Sequence, residues 1–189
     1  QQEFVGKVRL QNRSVSFDEN ANYVLVGIRR AGKSYMLYQH IQHLVAQGHS
    51  REEILFVNFE DERITDIKKE DLHLIIEAYR ELFSYEPIIF LDEIQNVDGW
   101  EHFARRLADE KYRVFITGSN AHMLSREIAS TLGGRYLTKE IYPFSFKEYL
   151  EYQGITLPSH WELSPVKADV IRLFSDYFCA LYNLILSFT

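Results

Sequence analysis

Within "GIRRAGKS", Gly27 and Gly32 bracket four residues and lead straight into Lys33 and Ser34. Two glycines at this spacing let a loop fold back so that its backbone N–H groups converge on one anion. A lysine beside the second glycine reaches the outer phosphates of a nucleoside triphosphate, and the hydroxyl after it suits Mg²⁺. Gly27, Ile28, Arg29, Arg30, Ala31, Gly32, Lys33, Ser34 and Tyr35 are therefore the expected nucleotide-binding set, with Lys33 also acting on the transferred phosphoryl group. Arg29 and Arg30 stay open between solvated loop positions and contacts with a carboxylate or a partner, and neither is assigned a catalytic role. The plain alternative is a basic turn. It requires no strand before Gly27 and no helix after Lys33.

Such a loop needs carboxylates nearby. "IIFLDE" places four apolar residues before Asp92 and Glu93, so a buried strand would deliver both acids to its carboxyl end. Asp92 is expected to bind Mg²⁺ together with Ser34, and Glu93 to polarise an attacking water as general base. "NFED", Asn58 to Asp61, ends another apolar run; its acids either face the same rim or sit in a solvated turn. "ITGSN" offers Ser119 or Asn120 to the γ-phosphate or the water, and Asn120 is taken as the catalytic candidate. Arg126 and Arg135 are candidates to neutralise transition-state charge, from the same chain or a neighbouring one, with Arg135 preferred.

These side chains need a frame that holds them at one rim. "NYVLV", Asn22 to Val26, reads as a buried strand running into the loop, and Met36, Leu37, Ile41, Leu44 and Val45 recur at helical spacing after it. Further strands are expected at Ile54–Phe59, Ile88–Glu93, Arg113–Ser119 and Arg135–Tyr142. Helical stripes run from Leu72 to Phe83, from Trp100 to Leu107 and from Leu124 to Leu132. Strands alternating with helices imply parallel pairing, an α/β three-layer sandwich. Ser145 then reads as the N-cap of a short helix, and Ser164-Pro165 as N-cap and first residue of a final one.

The 189 residues suffice for one domain with a sizeable core. A net charge of −6 gives no general attraction to nucleic acid or anionic membrane. No run reaches the roughly 18 apolar residues of a membrane helix. The single cysteine, Cys179, allows no internal disulfide, which fits a reducing cytoplasm, and its apolar neighbours suggest burial.

Taken in order, "GIRRAGKS", "VNFED", "FLDEIQNVDGWE", "ITGSNAHMLSREIASTLGGRY" and "IYPFSFKEYL" strongly resemble the prokaryotic AAA-like P-loop ATPases that carry a C-terminal domain related to restriction-type nucleases. The resemblance runs from about Tyr23 to Leu150. It implies the additional-strand P-loop fold, in which the strand ending in "ITGSN" lies between the cradle strand and the Asp-Glu strand. It also implies ATP binding, hydrolysis and Mg²⁺. Ile28 and Ser34 stand where that family usually has proline and threonine; both changes keep the needed groups. The expected division is an ATPase domain over residues 1–150 and a helical extension over 151–189, the start of a truncated second domain. Beyond Leu150 and up to "RLFSDYF", Arg172 to Phe178, the chain still looks like the family, and there the likeness ends. "CALYNLILSFT" follows, expected to come from a shifted reading frame or an altered terminus, with an apolar stripe that would promote self-association; the alternative is a genuine final helix packed on the ATPase core.

Four functions remain for such a chain. A nucleotide-driven switch that hydrolyses ATP fits best. A P-loop kinase lacks its arginine-rich lid here, and a GTPase lacks an Asn-Lys-x-Asp motif. A module that binds ATP without turning it over conflicts only with the intact Lys33, Ser34, Asp92 and Glu93.

Overall fold

The computed structural model describes residues 5, 8, 10–118 and 130–186, with side chains described as far as residue 182. The chain divides into two units, Gln1–Ile141 and Tyr142–Thr189.

The first unit is built on five parallel strands: β1 (Asn22–Val26), β2 (Ile54–Asn58), β3 (Ile88–Asp92), β4 (Arg113–Gly118) and β5 (Tyr136–Glu140). Their spatial order is β2-β3-β4-β1-β5. Strand β4 is therefore inserted between the cradle strand and the Asp-Glu strand, as the resemblance implied. Register confirms it: Leu25 lies opposite Thr117, and Leu91 opposite Ile116. Three helices make the crossovers: α1 (Lys33–Ala46), α2 (Leu72–Leu82) and α3 (Trp100–Asp109).

Period-two alternation sorts the strand side chains into two layers. Val24, Val26, Ile89, Leu91, Val114 and Ile116 face α2 and α3, where Ile76, Phe103, Ala104 and Leu107 receive them. Tyr23, Leu25, Phe56, Phe90 and Phe115 face α1, meeting Met36, Leu37, Ile41 and Leu44. The three central strands are thus buried on both sides, which is why they read as unbroken apolar runs. Burial of each large side chain is worth about 1.5–3 kcal/mol, so the sheet is the rigid part on which the loops are mounted.

Helix α1 stops where the chain enters the left-handed region at Gly48 (φ 106°), and His49 N–H donates back to Leu44 O at 3.1 Å. Residues ahead of β1 lie along the same helix. Gln39 exchanges two hydrogen bonds with the Arg13 backbone, and Gln42 donates to the Val5 and Val8 carbonyls. The helix expected over Leu124–Leu132 falls largely outside the described residues.

The second unit holds α4 (Phe146–Tyr152) and α5 (Lys167–Leu186). Ser145 caps α4 in a reciprocal capping box with Glu148. The Ser164 hydroxyl donates to Trp161 O instead of capping, and α5 begins at Lys167. Leu150, Val170 and Leu173 are buried, and Phe146 packs edge-on against Phe174 with centroids 5.0 Å apart. Cys179 is exposed, correcting the expectation of burial. A 7-residue helix cannot cover a 20-residue one on every side, so apolar neighbours in sequence did not imply cover in space. No described helix is long and apolar enough to cross a membrane.

Candidate functional site

The loop between β1 and α1 has the backbone that its glycines foretell. Gly27 has φ 156°, and a Cβ there would stand 2.2 Å from the Ile141 carbonyl oxygen. The chain just past β5 therefore runs so close that only glycine fits. Gly32 is the N-cap of α1 at φ 93°. It brings no capping side chain, and no acidic residue lies in the first turn of the helix. The N–H groups at that end of the helix remain available to an anion, with the helix dipole favouring negative charge.

Lys33 is buried, and its Nζ donates to the carbonyls of Gly27 (3.1 Å) and Ile28 (3.0 Å), spanning the loop it belongs to. The same ammonium lies 3.8 Å from Glu93 Oε1. Burial lowers its pKa, while Glu93 and Asp92 oppose that shift. Ala31 N–H donates to Ile28 O at 3.2 Å, closing the turn. Arg30 sits in the left-handed region at φ 59°. Tyr35 is exposed just past Ser34, its ring 5.6 Å from that of Tyr38.

The two acids at the end of β3 are held by different means. Asp92 is 1% exposed, and its Oδ1 accepts from Ser34 Oγ at 3.0 Å and from Thr117 Oγ1 at 2.5 Å. Burial pushes its pKa up to about 6, against the pull of those two hydroxyls. Glu93 N–H donates to the same Thr117 hydroxyl at 2.9 Å. Glu93 adopts φ 53°, ψ 41° and starts a 3-10 turn over Ile94–Asn96. A non-glycine residue in that region is strained, and such strain persists where surrounding bonds over-determine it. The Gln95 Nε2 donates to Glu93 Oε2 at 2.6 Å.

Sequence reasoning brought Lys33, Ser34, Asp92 and Glu93 to one place, and the fold joins them. It missed Thr117 and Gln95. Their signal was present: a hydroxyl on the strand neighbouring the Asp-Glu strand, and an amide two residues past the second acid. The open question at Arg29 resolves toward a contact, since Arg29 pairs with Glu60 at 3.2 Å. Of the "NFED" acids, Glu60 meets the cradle loop. Asp61 instead caps the 3-10 turn Glu62–Ile64 and pairs with Arg63. Ser119, Asn120 and Arg126 lie outside the described residues.

Arg135 does not join the cluster in its own chain. Its neighbour Tyr136 pairs with Asn22 at the start of β1, whereas the cradle follows Val26 at the other end. Four strand steps of about 3.3 Å separate those ends, roughly 13 Å. The Arg135 Nε instead bonds Asp109 Oδ1 at 2.6 Å.

The donor set suits Mg²⁺ bound with a triphosphate. Ser34 and Asp92 are hard oxygen ligands already in contact, and Mg²⁺ is commonly held by one or two such groups plus substrate phosphates. The described residues contain no cluster of three or more His, Cys, Asp or Glu side chains placed to hold a metal ion.

Comparison with known proteins bears on the family and the fold. An uncharacterized protein of Methanocaldococcus jannaschii is 34% identical over 177 residues, 93% of this chain and 38% of its own length. An uncharacterized protein of Haemophilus influenzae is 39% identical over 157 residues, 82% of this chain and 37% of its own. The chain thus spans well under half the length of these relatives. Among solved structures, a DNA polymerase III gamma subunit-related protein from Thermotoga maritima superposes with a TM-score of 0.52 at 11% identity. That match covers 92% of this chain and 56% of the other, and it bears on the fold alone. The family model described as "AAA domain" matches residues 19–150, more than half of the chain. With its inserted β4 and its cradle facing Asp92 and Glu93, the chain belongs to the AAA domain family.

Proposed function

We propose that this domain binds ATP together with Mg²⁺ and hydrolyses it to ADP and phosphate. The observation that carries the reading is the convergence of Lys33 on Glu93 (3.8 Å) and of Ser34 on Asp92 (3.0 Å) beneath an uncapped helix N-terminus. Bound Mg²⁺, held by Ser34 with Asp92, would withdraw charge from the phosphate oxygens. The loop N–H groups and Lys33 hold the β- and γ-phosphates. To do so, the Lys33 ammonium exchanges the Gly27 and Ile28 carbonyls for phosphate oxygens. Glu93 takes a proton from water as the water oxygen bonds the γ-phosphorus and the bond to the β-γ bridging oxygen breaks. Asn120 is proposed to contact the γ-phosphate or that water.

Arg135 is proposed to serve the cradle of a neighbouring copy, which requires self-association. Its place at the strand-start rim and its exposed pairing with Asp109 are compatible with reaching outward. The nucleotide state is proposed to act as a switch in the cytoplasm for a following domain of the restriction-nuclease-related kind. The greater length of the relatives supports a further domain.

Calorimetry with ATP tests the binding half. Wild type should bind, and Lys33→Ala should lose at least roughly tenfold in affinity, as expected for a charge-assisted contact. Equal affinity in the two proteins would remove the cradle from the account. For Arg135, turnover per subunit should rise with protein concentration in wild type and stay flat in Arg135→Ala.

A further inference from the structure

We infer that Gln95 is the positioning residue for the general base: its amide holds one oxygen of Glu93 so that the other stays turned toward the phosphates. The inference rests on the hydrolase reading above and adds a residue to it.

The backbone at Glu93 is the starting point. Its left-handed conformation ends β3 abruptly and sets up the 3-10 turn over Ile94–Asn96, closed by Asn96 N–H to Glu93 O at 3.2 Å. Gln95 lies within that tight turn, two residues past the acid. This is how its side chain comes back onto the Glu93 carboxylate, with Nε2 2.6 Å from Oε2. The orientation of the amide follows from chemistry, because an ionised carboxylate only accepts and so must face the NH₂ end. A bond of this length to a charged acceptor is of the stronger kind.

The other carboxylate oxygen, Oε1, is the one that lies 3.8 Å from Lys33 Nζ. Lys33 belongs to the loop that would cradle the outer phosphates. Glu93 is thus held at one oxygen by Gln95 while the other faces the cradle lysine, with its backbone N–H fixed by Thr117. Glutamate has three rotatable bonds, and a general base must stay within hydrogen-bond reach of the proton it removes. The Gln95 contact restricts that freedom before substrate arrives.

A second observation concerns the other end of the amide. The Gln95 Oε1 is buried and accepts no hydrogen bond among the described residues. An unpaired buried carbonyl is unfavourable. Here one end goes unpaired while the other is spent on the base.

A double-mutant cycle on steady-state ATP hydrolysis tests the inference, using wild type, Gln95→Met, Glu93→Gln and the double variant, with ATP affinity measured alongside. Methionine keeps the length and removes the donor. Gln95→Met should lower kcat at least tenfold with ATP affinity within twofold. The double variant should be no slower than Glu93→Gln alone, because Gln95 acts only through Glu93. Gln95→Glu, of the same shape, should lose as much or more, and it carries the comparison if the methionine variant does not fold. Losses that multiply in the double variant, or an unchanged kcat in Gln95→Met, would overturn the inference while leaving hydrolysis intact. An inactive wild type that still binds ATP would overturn the hydrolase reading and this inference with it.

Discussion

Ser34 Oγ donates to Asp92 Oδ1 across 3.0 Å, joining the first turn of α1 to the end of β3 over a sequence separation of 58 residues. The contact puts a hydroxyl and a carboxylate where one Mg²⁺ can use both. If so, Ser34→Ala should retain ATP binding in chelator but lose most of the gain that Mg²⁺ brings, roughly 10–100-fold in metal affinity. Calorimetric titrations with and without Mg²⁺ decide the matter. An unchanged Mg²⁺ effect in the variant would place the metal elsewhere.

Thr117 is fully buried and serves both acids with one hydroxyl, donating to Asp92 and accepting from Glu93 N–H. Thr117→Val keeps the shape, removes the acceptor of the Glu93 N–H and leaves Asp92 Oδ1 with the Ser34 hydroxyl but without that of Thr117. Each unpaired buried group costs about 1–3 kcal/mol, so the variant should melt several degrees lower in calorimetry. Hydrolysis should also fall, since the Glu93 backbone loses its anchor. A valine variant with wild-type stability and rate would show the hydroxyl to be incidental.

Most of this arrangement was legible in the sequence because it is written in local patterns. Apolar runs buried on both faces announce β1, β3 and β4, and a strand end delivers Asp92 and Glu93 together whatever surrounds it. The inserted position of β4 came from the resemblance, since periodicity says nothing about which strands are neighbours. What escaped notice depends on contacts between elements. Thr117 becomes a site residue only because β4 lies beside β3. Gln95 does so only because Glu93 turns left-handed, an event no propensity signals in a glutamate. The place of Arg135 depends on the same kind of contact. Closeness in sequence to Gly133-Gly134 said nothing about which end of the sheet it would occupy.

His40 gives the fold a pH dependence of its own. It is 7% exposed, packed among the rings of Phe17, Phe90 and Phe115, and its Nε2 has no hydrogen-bond partner among the described residues. Burial first, then Arg113, His43 and His49, push its pKa down to about 3. Above pH 6.5 the ring is neutral whether folded or unfolded, and stability does not change on its account. As pH falls from 6.5 toward 3, the unfolded chain gains a proton that the folded one refuses, so stability drops by up to about 1.4 kcal/mol per unit. Asp92 acts in the opposite sense below about pH 6, because its raised pKa lets the folded state take the proton first. Comparing wild type with His40→Leu cancels the Asp92 contribution. Denaturant titrations at pH 7.5 and pH 5 should show the variant losing less on acidification than wild type. Parallel losses would assign the acid sensitivity to other groups.

The central claim is that Glu93 turns a nucleotide cradle into a hydrolase. Phosphate release from ATP with no acceptor present, in wild type and in Glu93→Gln, tests it most directly. GTP and the chelator serve as controls. The account predicts Mg²⁺-dependent release by wild type, and in Glu93→Gln a rate lower by roughly 10²–10⁴-fold with ATP affinity retained, because the amide keeps the size but cannot take the proton. Equal release by the two proteins would contradict it, and so would a wild type that binds Mg²⁺ and ATP without releasing phosphate.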